Sequence, residues 1–145
     1  MVGRILALDV GDVRIGVAAS DPLGITAQPH SVVAAEPADA AVQAIADLVH
    51  ELNAQYIVAG LPLTKQGEEG PQAAKVRAFT EQLANAVDVD IKMQDERFTT
   101  AMVERAMAQA GVNKKKRKQN VDMLAAQQIL QTHLDRRAAT GETPA

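Results

Sequence analysis

The chain has no cysteine and no tryptophan, and its aromatic residues are only Tyr56, Phe79 and Phe98. Without cysteine there is no disulfide framework and no thiolate metal site, a pattern that suits the cytoplasm. So few aromatics cannot stack a succession of bases, so any nucleic acid would be gripped through its phosphates and its shape. No run of about 18 apolar residues occurs, which leaves no candidate membrane span. No basic-then-apolar start marks a signal peptide either. Positive charge is not in excess: the formal net charge is -3, so binding to nucleic acid would have to be local rather than spread over the surface.

What remains is an ordinary globular mixture, 47% hydrophobic and 23% charged over 145 residues, enough for one domain with its own core. Ile5 to Leu8 is an unbroken apolar run, the mark of a strand buried on both faces, and Asp9 stands at its end. Gly11 and Gly16 allow a tight turn into a second strand over Ile15 to Ala19, and Ser31 to Ala34 follows as a third. Val42, Ile45, Ala46, Val49 and Leu52 recur at helical spacing from about Ala38 to Asn53. Tyr56 to Gly60 is a short buried strand ended by Gly60 and Pro62. The polar stretch Thr64 to Gly70 reads as a mobile surface loop.

Pro71 opens a helix whose buried face carries Val76, Phe79, Leu83 and Val87. Val89 to Met93 alternates as a half-buried strand and leads into Gln94, Asp95, Glu96 and Arg97. Thr99 or Thr100 caps a helix ending near Gly111, Lys114 to Lys118 is a charge run, and a last helix starts near Asn120. The order describes one α/β domain with a mixed sheet over residues 1–137 and a frayed tail over 138–145.

Three acids stand where buried elements end or begin: Asp9 after the first strand, Glu96 after the last strand, and Asp122 at the start of the final helix. Asp122 shares a helical face with Ala125, Ala126 and Ile129, so it points toward the sheet. Carboxylates that converge repel one another unless a cation lies between them. A pair of Mg²⁺ or Mn²⁺ ions about 4 Å apart suits such oxygen ligands and is a common arrangement for cutting phosphodiesters. Each acid also has a plain reading: Asp9 as a turn cap, Glu96 as a surface partner of Arg97, Asp122 as a favourable charge at a helix start. Lys114, Lys115, Lys116, Arg117 and Lys118, most often a solvated face, here precede the helix of Asp122, where a phosphate backbone would be held. Arg14 and Arg97 add candidate phosphate contacts, whereas the three histidines lack metal-ligand spacing.

Four segments carry a resemblance that spans nearly the whole chain: Leu8-Asp9-Val10-Gly11 with Arg14 to Ala18, Ile57 to Leu63, Asp95 to Thr100, and Val121-Asp122 with Ala125-Ala126 and Ile129-Leu130. In this order they resemble the YqgF (RuvX) family. The resemblance implies an RNase H-like fold and a nuclease, described both as a Holliday junction resolvase and as an enzyme maturing the ends of pre-16S ribosomal RNA. It also implies that Asp9, Glu96 and Asp122 are the catalytic, metal-binding acids, with Asp95 a substitute for its neighbour. The chain departs from the family in Asp12, where Thr is common, in Thr64-Lys65-Gln66, and in Asn120.

The expected function is therefore divalent-metal-dependent hydrolysis of structured RNA or branched DNA, with RNA processing ahead of junction cleavage. Cutting a junction requires two active sites and so favours a homodimer. A non-catalytic adaptor with the same fold is the rival, but it leaves the full set of acids without a purpose. An actin-like or sugar-kinase ATPase needs two phosphate-loop lobes, and this chain has length for one.

Overall fold

The computed structural model describes residues 3–95 and 114–139, with side chains in the last helix from residue 123 onward. The apolar run at the start forms β1 (Arg4–Val10), which turns into β2 (Arg14–Ser20) and then β3 (Ala27–Ala34). Helix α1 (Ala38–Glu51) leads to β4 (Ala54–Leu61), α2 (Pro71–Ala84) to β5 (Asp90–Asp95), and α3 (Lys114–Ala139) closes the described chain. The sheet order is β3-β2-β1-β4-β5. β1 pairs antiparallel with β2, and β2 with β3. The pairs β1/β4 and β4/β5 are parallel, joined by α1 and α2 as the crossovers that parallel pairing demands.

Alternation along β1 sends successive residues to opposite faces. Leu6, Leu8 and Val10 enter a core with Ile15, Val17, Ile57 and the buried stripes of α1 and α2, notably Ile45, Val76 and Leu83. Ile5 and Ala7 enter a second, smaller core with Ala18, Val58 and the α3 residues Ala126, Ile129, Leu130 and Leu134. The sheet is thus covered on both sides, by α1 and α2 on one and α3 on the other. A buried bond from the Ile5 N–H to Ser20 Oγ (2.8 Å) fixes the start of β1 against the end of β2. Two glutamines of α3 grip the backbone of Ala27: its N–H donates to Gln131 Oε1 (3.1 Å) and its carbonyl accepts from Gln127 Nε2 (3.0 Å).

Several boundaries differ from the sequence reading. β3 begins at Ala27 and passes through Pro29. This is possible because β3 is an edge strand, where a missing N–H breaks no ladder, and because the register shift beside Val17 and Ala18 leaves His30 as an extra residue. Gly16 is not part of the turn but lies inside β2, paired with Asp9, and Gly60 does not end β4, which runs on to Leu61. Thr64 to Gly70 is a bonded hairpin rather than a loose loop: Thr64 N–H donates to the Glu68 carbonyl, Gly67 (φ 82°) N–H to the Thr64 carbonyl, and Leu63 bridges Glu69. Arg77 of α2 then forks onto the Glu69 carboxylate (2.5 and 2.7 Å), holding that carboxyl below its ordinary range. The last helix begins at Lys114, six residues before Asn120, and takes in Ala138 and Ala139. The expected helix from Thr99 or Thr100 to Gly111 lies outside the described residues.

Candidate active site

Asp9 is the next residue to last of β1 and follows Ile5 and Ala7 in the alternation, so it belongs to the α3 face of the sheet, at the C-terminal margin of the parallel strands. Directly across on β2 is Gly16. On β4 the register Leu8↔Ala59 places Gly60 beside Asp9, and Gly60 in turn pairs with Gln94 of β5. One row therefore crosses the sheet as Gly16, Asp9, Gly60, Gln94. Strands lie about 4.7–4.9 Å apart, so on either side of Asp9 the nearest positions on this face carry no side chain. Both glycines are buried and Asp9 is partly exposed, so backbone rather than side chain flanks the carboxylate within the sheet.

β5 sorts the neighbouring acids. Ile91 and Met93 pack against the α1/α2 core, whereas Gln94 reaches the α3 face and donates from Nε2 to the Ile129 carbonyl (2.9 Å). Asp95 takes the parity of Met93 and belongs to the α1/α2 side, away from Asp9. Glu96 lies outside the described residues, as does Arg97.

α3 carries Asp122 in its backbone. Its contacts run from Gln94 at the C-terminal margin of β5, touched at Ile129, to Tyr56 at the beginning of β4, touched at His133 and Arg137. Followed backward from Arg137, the helix thus leads toward the margin that holds Asp9. Asp122 is one turn before Ala126 and two turns before Ile129, both buried against the sheet. Lys114, Lys115, Lys116, Arg117 and Lys118 form the first turns of this helix, not a separate loop.

Arg14 opens β2 at the same margin. It takes the parity of Gly16 and Ala18, and so the face of Asp9. The hairpin between them is tight: Gly11 N–H donates to the Arg14 carbonyl (2.9 Å), and a Cβ on Gly11 would meet that oxygen at 2.7 Å. Asp12, the extra acid in this turn, pairs with Lys75 of α2 (3.1 Å), which draws its charge toward the opposite face. A cleft of about 550 Å³ on that opposite face is lined by Val10, Gly11, Phe79 and Lys75 among others and does not include Asp9. Among the described residues no three acids or histidines form a ready metal cage. Of the three acids singled out in the sequence, Asp9 is the one whose side chain lies within the described residues.

Sequence reasoning missed the two glycines as neighbours of Asp9, because register is not written in local pattern. It also gave His133 no role, yet its Nε2 shares a hydrogen bond with the Tyr56 hydroxyl (2.6 Å) while Arg137 donates to the same oxygen (2.8 Å). The spacing His133 to Arg137, one helical turn, was the available signal.

A mixed sheet in this order, helices on both faces and an acid at the end of the first strand define an RNase H-like domain. Solved structures of the same architecture include Thermus thermophilus RuvC in complex with a Holliday junction substrate, with a TM-score of 0.59 and 15% identity over 97% of this chain and 98% of that one. Fowlpox virus resolvase with Holliday junction DNA gives 0.55 and 12% over 92% and 97%. More narrowly, the chain belongs to the RuvX family, described as Holliday junction resolvase, whose model matches residues 3–136. A protein of Pelotomaculum thermopropionicum provisionally named pre-16S rRNA nuclease is 42% identical over 97% of this chain and 96% of its own length. One of Chloroflexus aggregans with the same name is 44% identical over 92% and 94%.

Proposed function

We propose that this protein is a divalent-metal-dependent nuclease acting on structured nucleic acid, with the ends of pre-16S ribosomal RNA as its first substrate and four-way junctions as its second. The observation that carries the reading is Asp9 set between Gly16 and Gly60 in the sheet register, on the face and at the margin toward which α3 leads Asp122. Asp9, Glu96 and Asp122 are the ligand set, all of them hard oxygen donors suited to Mg²⁺ or Mn²⁺. The parity of β5 counts against Asp95, which falls on the face opposite Asp9, and so favours Glu96 as the ligand. A bound cation would lend positive charge to the scissile phosphate and to the attacking water. The protein's own part is to hold the acids in register, leave room beside Asp9 and grip the backbone.

The grip falls to Lys114, Lys115, Lys116, Arg117 and Lys118, with Arg14 and Arg97 nearer the acids. The first turn of α3 contains no acidic residue. Cations there oppose the helix dipole, at about 0.3–1 kcal/mol each. Bound phosphates offset that cost, which explains why so many lysines stand where a helix alone would prefer acids. Residues 1–137 act as one domain, and the homodimer belongs to the junction-cutting half of the reading. Among the described residues no helix is long and apolar enough to cross a membrane; we assign the enzyme to the cytoplasm, where its RNA is made.

The test is cleavage of a precursor RNA and of a four-way junction in Mg²⁺ or Mn²⁺, with Asp9→Asn alongside. The variant should be roughly a thousandfold slower. Equal cleavage rates for parent and variant would overturn the assignment of Asp9, and binding without cleavage by both would favour the adaptor instead.

A further inference from the structure

We infer that Gln94 is a positioning residue of the nuclease site, the tie that holds the strand leading to Glu96 against the helix carrying Asp122; this rests on the nuclease reading above. Gln94 is 9% exposed, one of few buried polar side chains among the described residues. A glutamine there costs desolvation that an apolar residue would avoid, so its amide needs a purpose. Its Nε2 donates to the Ile129 carbonyl (2.9 Å). That carbonyl belongs to the middle of a helix and already has a partner in the helical ladder, so the bond does not rescue an orphaned group. What it does is join two elements.

The join falls at a telling place. α3 packs against β1, β2, β3 and β4, and the Gln94 amide extends that docking to β5, the outermost strand on the other side. The bond is thus two residues before Glu96 along the chain and two helical turns after Asp122, and Gln94 belongs to the same cross-sheet row as Asp9. Gly60, between Asp9 and Gln94, contributes no side chain that could set their spacing. Loss of the amide would free β5 and α3 to separate by tenths of an ångström, and a cation bound across the two would feel it. Outer partners that orient ligands this way are worth about 10–100-fold in metal affinity.

The experiment is Mn²⁺ binding by titration calorimetry on the whole protein, with cleavage measured in parallel. Gln94→Met keeps length and removes the amide; Gln94→Glu keeps an acceptor and removes the donor. Both should bind Mn²⁺ about tenfold more weakly and cut more slowly at limiting Mn²⁺, with KM for the nucleic acid unchanged. Gln94→His, whose ring N–H can reach the same carbonyl, should recover most of the affinity. Unchanged Mn²⁺ affinity in Gln94→Met, with only a lower melting temperature, would overturn the inference and assign Gln94 to stability alone. A parent protein that binds no Mn²⁺ would refute the metal-dependent nuclease, and this tie with it.

Discussion

The two faces of one sheet are built on different terms. On the α1/α2 side the strands present Leu6, Leu8, Ile15, Val17 and Ile57 to two amphipathic helices, and the apolar surface continues to Val10 at the margin. On the α3 side the core is thinner and richer in alanine, with Ala7, Ala18, Ala27 and Ala126 among its members. There the apolar surface stops one position short of the margin, at Asp9, and side-chain amides take over the docking through Gln94, Gln127 and Gln131. A strand that alternates can serve both needs at once: the even residues of β1 hold the fold, and the odd ones end in Asp9, the acid we propose for the chemistry. Small residues and amides stabilise less per contact than leucines, but they let a helix come close and fix its position.

The sharpest way to break this contrast is to exchange effects between adjacent residues. Asp9→Asn should remove cleavage by roughly a thousandfold, leave urea unfolding almost unchanged, and abolish the rise in melting temperature that Mn²⁺ gives the parent. Leu8→Ala, one residue away on the other face, should cost about 2–5 kcal/mol in the same unfolding experiment while leaving metal affinity intact below its melting point. If Asp9→Asn unfolds as easily as Leu8→Ala, the division of labour is wrong. Ser20→Ala leaves the buried Ile5 N–H without its acceptor. It should destabilise by about 1–3 kcal/mol, read as a lower urea midpoint with an unchanged slope.

The smallest effect concerns pH. The Asp21 carboxyl is held below its ordinary range first by the Thr26 N–H (2.9 Å), against some desolvation, and further by the Ile25 N–H (2.7 Å). A carboxyl whose folded value is depressed contributes stability above its unfolded value and loses it as pH falls through the folded one. Asp21→Asn should therefore flatten a small part of the stability loss below about pH 4 and change little at neutrality. A parent and variant with parallel acid-unfolding curves would assign that loss to other groups.

The parts of this arrangement that were legible in the sequence are those written within a few residues. The apolar run before Asp9, the helical stripes of α1 and α2 and the proline opening α2 are all local signals. So was the buried face shared by Ala125, Ala126 and Ile129. What escaped depends on pairing across the sheet. Gly16 and Gly60 look like turn and stop signals until register sets them on either side of Asp9. Gln94 looks like an ordinary polar position on a half-exposed strand until α3 lies over it. The start of α3 was misjudged for a different reason. Asn120 is a good cap, but lysine, arginine and glutamine are good helix formers, and the run from Lys114 to Gln119 extends the helix past that cap.

The grip of Gln127 and Gln131 on Ala27 makes the far edge of the sheet the datum for α3. Both the donor and the acceptor of a single peptide position are taken, by amides one turn apart, so the helix cannot slip along its axis without surrendering at least one. Asp122 lies five residues up the same rod, about 7.5 Å of rise, and inherits its height from that fixed point. Distortion of the outermost strand, where Pro29 and the extra residue His30 already loosen the ladder, would thus arrive at Asp122 as a shift in elevation.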